Sequence, residues 1–376
     1  MSPAQKSNSA AKQIGQLLII GFDGTELTPA LSAMLDRMQP AGVILFARNI
    51  INAQQTHQLL RDCQGRVKQR LFTCVDLEGG RVDRFRNVTG PAPSAAEVFA
   101  TGERKLFRKH GQLIARICAA LGFNVDFAPV IDLAFEASRK VMSSRAFSTD
   151  PKAVALYARE FLAGLKSAGV IGAGKHFPGL GEGNLDSHHD LPVIKKTFSK
   201  LWEQDLAPYR LLKRELPMVL VNHANYPAVN RETLPASLSK YWITDVLRRK
   251  IGYRGLVVSD DLEMGGVLKS ASIDEAAMGF IAAGGDLCLI CHEQAGIEQA
   301  YETMLRNSER DPRFRRRVLE SAQRVAAFKR KSKALTRRPP APSAEKVSRL
   351  STQLWEFSEQ VRLQAFSLSA VAGARR

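Results

Sequence analysis

Eight short apolar runs, each separated from the next by enough chain for a helix, constrain this sequence more than any other feature. They are LLIIGF (17–22), GVILFA (42–47), LFTCVDL (71–77), NVDFAPVIDL (124–133), GVIGAGKHF (169–177), MVLVNHA (218–224), GLVVSDDL (255–262) and DLCLICH (286–292). Most are continuous and not alternating, the pattern of parallel strands covered on both faces. Helical stretches fill the gaps. In PKAVALYAREFLAGLKSAG, Pro151 sits in the first turn and Gly169 past the end, where each is favoured. Eight strand–helix repeats in about 300 residues predict an α/β fold, a closed (β/α)8 TIM-type barrel in preference to an open doubly wound sheet.

A chain of 376 residues with 45% hydrophobic content can bury such a core, which excludes a disordered chain or a disulfide-stapled miniprotein. The formal charge of +17 is not spread evenly. From Arg306 to the end there are 18 basic and 6 acidic residues, so the first 305 carry only +5. The expected division is a catalytic barrel over 1–330, a basic Pro-rich linker over 331–345 containing RRPPAP, and an amphipathic helical tail over 346–376. In that tail Val347, Leu350, Leu354, Phe357 and Val361 follow helical spacing.

The basic tail reads as a solvated surface. The alternative is a nucleic-acid or acidic-membrane binding protein on an inactive barrel, with Arg313–Arg317 and Lys329–Lys333 as its footprint. The tail lacks an array of stacking aromatics, so no specific nucleic acid partner is expected. No run approaches the length of a membrane-spanning helix. The first residues show no signal-peptide pattern, and five scattered cysteines suit a reducing compartment, so a cytoplasmic location is expected. The oligomeric state is not legible.

In a barrel of this kind, active residues belong at the C-terminal ends of the strands. Asp76 and Glu78 follow the third run, Asp132 the fourth, Lys175 and His176 the fifth, Asn222 and His223 the sixth, and Asp260 and Asp261 the seventh. Wet loops end any strand, and that suffices to explain Glu78 or Glu263. It explains less well an apolar strand that runs directly into Lys-His or Ser-Asp-Asp. A carboxylate held where Asp260 is could serve as a nucleophile on a sugar carbon, a base or a metal ligand; it could equally be structural.

GAGKHFPGLGEGNLDSHHDLPV (172–193) reads as a long irregular loop. Asp186 and His188 lie two apart, so in an extended segment they project to one side. A carboxylate beside an imidazole raises its basicity, and such a pair could give a proton to a leaving group and later take one from water. A loop-stabilising ion pair is the bland alternative.

His176, His188 and His189 lack the spacing of a metal motif, so neither a metal nor a cofactor is expected. Cys288-Leu-Ile-Cys291-His292 matches a haem-attachment string by chance, since its cysteines would fall on opposite faces of a strand.

Seven segments taken in order resemble the family 3 glycoside hydrolases, in their β-N-acetylhexosaminidase branch. They are GVILFARNI (from Gly42), CVDLEGGRVDRFR (74–86), NVDFAPVIDL (124–133), SSRAFSTDP (143–151), KHFPGLGEGNLDSHHDLPV (175–193), PMVLVNHANYP (217–227) and GLVVSDDLEM (255–264).

The resemblance implies a retaining exo-enzyme that removes terminal β-linked N-acetylglucosamine from a carbohydrate substrate, with peptidoglycan fragments as the expected source. It makes Asp260 the nucleophile and His188, oriented by Asp186, the general acid/base. Asp76, Arg84, Arg145, Lys175 and His176 are implied to hold the sugar. A β-glucosidase of the same family is the nearest rival, and a histidine acid/base also leaves phosphorolysis open. One departure stands out: the family writes P-G-H-G where this chain has Pro178-Gly179-Leu180-Gly181.

Overall fold

The computed structural model describes residues 11–183, 191–230 and 234–373, with side chains described as far as 367. Its centre is a closed barrel of eight parallel strands. These are β1 (Leu18–Ile20), β2 (Gly42–Ile44), β3 (Phe72–Val75), β4 (Val125–Asp126), β5 (Ile171–Phe177), β6 (Met218–Val221), β7 (Leu256–Asp261) and β8 (Leu287–Ile290). Each falls inside one of the eight apolar runs. Closure comes from β1 on β8, where Leu18 pairs with Cys288 and Ile20 with Ile290.

Alternate residues along each strand separate two apolar layers. Ile19, Ile44, Cys74, Val125, Ala173, Leu220, Val258 and Leu289 pack into the interior. Leu18, Ile20, Val43, Val75, Val219, Val257, Cys288 and Ile290 pack outward against the helices. Burial on both faces is why the runs are continuous in sequence. Cys288 and Cys291 do divide between the two layers, and all five cysteines are free and buried.

Local signals set the helix ends. The helix Pro151–Ala168 starts at Asp150, whose carboxylate accepts from the Lys152 amide at 2.9 Å, and ends at Gly169 with φ of 82°. A small hairpin not foreseen from the sequence pairs Leu77–Gly79 with Val82–Asp83 above β3. Gly79 there has φ of 82°, and a Cβ on it would lie 2.1 Å from the Pro93 carbonyl oxygen, so both the turn and the close approach require glycine.

The C-terminal segments belong to the barrel's packing. Helix Pro312–Lys331 sends Val325 into the interior layer, and Leu335 follows it. The basic footprint drawn from the sequence therefore needs correction at Lys329. This residue is buried beneath the N-terminal ends of β1 and β2, where its Nζ donates to Gln16 Oε1 at 3.0 Å and to the Ala41 carbonyl at 2.8 Å. Helix Ala344–Gly373 lays Leu350, Leu354, Phe357 and Val361 against the barrel, with Phe357 stacked on His110, 5.8 Å between centroids. Among the described residues no helix is long and apolar enough to cross a membrane.

Candidate active site

The C-terminal ends of β3, β4 and β5 converge on one charged network. Lys175, near the end of β5, donates to Asp76 at 2.7 Å and lies 2.6 Å from Glu78. Arg145 grips Glu78 with two bonds, Nε at 2.7 Å and Nη2 at 2.9 Å, and its Nη2 is 3.3 Å from His176 Nε2. The other ring nitrogen of His176 is 2.6 Å from Asp132, whose second oxygen accepts from the Leu180 amide at 2.7 Å. The sequence reading thus brought Asp76, Arg145, Lys175 and His176 to one place, and the structure joins them through Glu78 and Asp132.

Glu78 corrects the reading of it as an ordinary wet-loop acid. Its side chain is 5% exposed and pairs with both Arg145 and Lys175. The signal was present: a strand-end lysine drawn into an apolar barrel, joined by Arg145 from a turn well past β4, needs anionic partners.

The electrostatics follow from the pairing. Burial alone would raise the carboxyls of Glu78 and Asp76. For Glu78, Arg145 and then Lys175 outweigh burial, and for Asp76, Lys175 and then Arg84 do, so both are held below the usual range. Burial would likewise strip Lys175 of its proton, but Asp76 and Glu78 hold it on. Asp126 beneath them has no cation in hydrogen-bond reach among the described residues. Burial pushes its carboxyl well up, while its Oδ1 accepts from the Leu77 amide at 2.9 Å and fixes the start of the hairpin.

Asp76 and Arg145 keep more exposed side chains, at 19% and 17%, than Lys175 at 4%. The floor of the site is therefore a clamped salt-bridge network with one acid and one guanidinium facing solvent. Arg84 lies with its guanidinium 5.5 Å from the Phe46 ring centroid, beside Arg48 at 4.8 Å from the same ring.

Across the mouth, β7 carries Asp260, half-buried, with Oδ1 accepting from the Asp261 amide at 3.0 Å. The strand-end polar residues of β6 are braces. Asn222 donates to the His176 carbonyl at 3.0 Å, and His223 bridges the Ser237 hydroxyl at 2.7 Å and the Asp261 carbonyl at 2.9 Å. Burial lowers the His223 imidazole despite the nearby charge of Asp260. Glu263, also read as a wet-loop acid, accepts from the amides of Cys291, His292 and Glu293 and so ties the end of β7 to the end of β8.

Asp186 and His188 lie outside the described residues. The chain on either side of them is anchored. Gly179 has φ of 132°, and a Cβ on it would come 2.6 Å from the Asp205 Cβ. Its carbonyl accepts from Tyr226 at 2.7 Å, and buried Lys196 pairs with Asp205 at 2.7 Å. Leu180, at the departure from P-G-H-G, is buried. Among the described residues no cluster of His, Cys, Asp or Glu is arranged to hold a metal ion.

A (β/α)8 barrel with acids and cations gathered at its C-terminal mouth is the architecture of a barrel enzyme. Comparison with known proteins gives the family. The sequence matches the profile described as "Glycosyl hydrolase family 3 N terminal domain" over residues 10–327, and the chain belongs to that family of glycosidases. It is 33% identical to the Beta-hexosaminidase of Idiomarina loihiensis over 347 residues, which covers 91% of this chain and 98% of that protein. It is 37% identical over 283 residues to the Beta-hexosaminidase of Bordetella avium, covering 73% of this chain and 80% of the relative.

Among solved structures, a family 3 beta-N-acetylglucosaminidase from Paenibacillus sp. str. FPU-7 superposes with a TM-score of 0.86 at 30% identity, covering 93% of this chain and 68% of that one.

Proposed function

We propose that this chain is a retaining exo-β-N-acetylglucosaminidase acting on peptidoglycan fragments in the cytoplasm. The observation that carries the reading is the Lys175-centred network facing the half-buried Asp260 across the barrel mouth. It combines a solvent-facing acid and guanidinium, suited to sugar hydroxyls, with a carboxylate at a strand end. The relatives named above supply the substrate class, and five free cysteines suit a reducing compartment.

In this mechanism Asp76 and Arg145 hold sugar hydroxyls, with Arg84, Lys175 and His176 completing the subsite. The Asp260 carboxylate attacks the anomeric carbon while the glycosidic bond breaks. His188, oriented by Asp186, gives its proton to the leaving oxygen, which leaves a covalent glycosyl ester on Asp260. Water then attacks the same carbon, His188 takes its proton, and the ester bond to Asp260 breaks with net retention.

The test is release of p-nitrophenol from the β-N-acetylglucosaminide and from the β-glucoside by wild type, Asp260→Ala and His188→Ala, with and without phosphate. Preference for the N-acetyl sugar, abolished in Asp260→Ala and strongly reduced in His188→Ala, supports the proposal. Faster turnover with phosphate and a sugar phosphate product would replace hydrolysis by phosphorolysis. A folded wild type inactive on both substrates would defeat it.

A further inference from the structure

At the end of the barrel opposite the site, a half-open cavity of about 950 Å³ lies between helix Ala53–Arg66, the starts of β3 and β4, and the segment that follows helix Pro312–Lys331. Its volume is that of a small-molecule site. Its walls are basic: Arg61, Lys68, Arg70, Arg337 and Arg338 all line it, and among the described residues no aspartate or glutamate does. The floor is apolar, from Leu60, Val67 and Phe123.

Two of these cations are occupied by the fold. Arg70 donates to the carbonyls of Leu335 at 2.8 Å and Arg337 at 2.6 Å, and Arg337 donates to the Ala168 carbonyl. These bonds strap the tail segment across the barrel and make it the cavity's outer wall. Arg61, Lys68 and Arg338 are exposed, and among the described residues none is paired with a carboxylate.

His57 also lines the cavity. It is 2% exposed, its Nε2 is 3.1 Å from the Pro339 carbonyl, and its buried Nδ1 has no hydrogen-bond partner among the described residues. The cations are close enough to repel. Burial and then the charge of Arg338 weaken the hold of Arg70 on its proton, and burial foremost, with Arg61 and Lys346 adding to it, does the same to His57.

We propose that this cavity is a binding site for a small phosphate-bearing metabolite with an apolar or aromatic body, of about nucleotide size. Phosphate oxygens match the guanidinium forks of Arg61 and Arg338 and would relieve the repulsion among the cations. The apolar floor would take the body of the ligand, and a bounded volume of about 950 Å³ matches a small ligand better than a polymer. The site is separate from the barrel mouth and does not depend on the reaction performed there.

The test uses the full chain, titrated calorimetrically at low salt with ADP, with pyrophosphate and with a short single-stranded oligonucleotide. ADP is expected to bind roughly tenfold more tightly than pyrophosphate, because only ADP also fills the apolar floor. The triple variant Arg61→Ala/Lys68→Ala/Arg338→Ala is expected to lose at least about tenfold in ADP affinity. Its turnover at the barrel mouth should stay at the wild-type value and its unfolding midpoint should not fall below it, since these side chains are exposed, make none of the bonds that hold the strap, and repel one another. No ADP binding, or binding unchanged in the triple variant, would overturn the proposal. Oligonucleotide binding far tighter than ADP would overturn it in favour of a nucleic-acid surface.

Discussion

Lys175 and Lys329 are buried lysines at opposite ends of one barrel, and their surroundings push their protons in opposite directions. Lys175 sits between two carboxylates and is held charged. Among the described residues Lys329 meets no carboxylate, only the neutral oxygens of Gln16 and Ala41 and the Phe72 ring, whose centroid is 4.8 Å away, and burial pushes it down to about 7. Burial costs each cation its hydration; the difference lies in what replaces it. Anionic partners repay a buried charge, whereas two amide dipoles and an aromatic face do so only in part. The mouth is thus built to keep charge in an apolar setting, and the opposite end is built to close.

The largest expected effect comes from removing the mouth cation. Lys175→Met takes the hydrogen-bonded cation from Asp76 and leaves Glu78 to Arg145 alone, and should cost about 3–5 kcal/mol in urea unfolding, together with a fall in kcat/KM of at least about a hundredfold. If Lys329→Met cost as much, the contrast between the two ends would be wrong.

Acid provides the second break. Glu78 and Asp76 are depressed in the folded chain, so the unfolded chain takes up their protons first as pH falls. Their stabilisation is complete above the ordinary glutamate value of 4.5 and is lost as pH falls below it toward the folded values. Urea midpoints measured from pH 6 to pH 3 should fall for wild type and fall less steeply for Glu78→Gln.

At the other end the sign reverses. Lys329 binds its proton more weakly folded than unfolded, so stability should climb between about 7 and the ordinary lysine value of 10.5. Lys329→Met should remove that part of the climb, as the difference between the two pH profiles would show. The smallest effect is expected from Gln16→Leu, which takes one acceptor from Lys329 and should cost about 1–2 kcal/mol while extending the same climb to lower pH.

The strands were legible because both faces of each are buried, which leaves continuous apolar runs, and because each cap and turn residue stands where local geometry wants it. The mouth was legible in its cations and in Asp76 and Asp260. Glu78 was not, because an acid beside two glycines looks like a wet turn until Arg145 and Lys175 arrive from 67 and 97 residues away in sequence. The Gly79-Gly80 pair was itself a hairpin signal that the reading passed over.

Lys329 was hidden by counting charge over the whole tail. The helical spacing held the information: Val318, Val325 and residue 329 share one face, so the lysine continues a buried stripe. Leu180 shows the converse case, a departure visible in the sequence whose side chain the structure buries and whose amide it gives to Asp132.

The contact between Lys329 and Gln16 joins residues 313 apart, and the pairing of β1 with β8 spans nearly as much chain. Synthesis runs from the N-terminus, so the Oε1 of Gln16 and the outer edge of β1 are made first and satisfied last. Until β8 has been made, β1 can pair only with β2, and its other edge has no partner in the chain. For most of its birth this molecule therefore carries the kind of free edge through which neighbouring nascent chains stick together, and it depends on its final third to shut it.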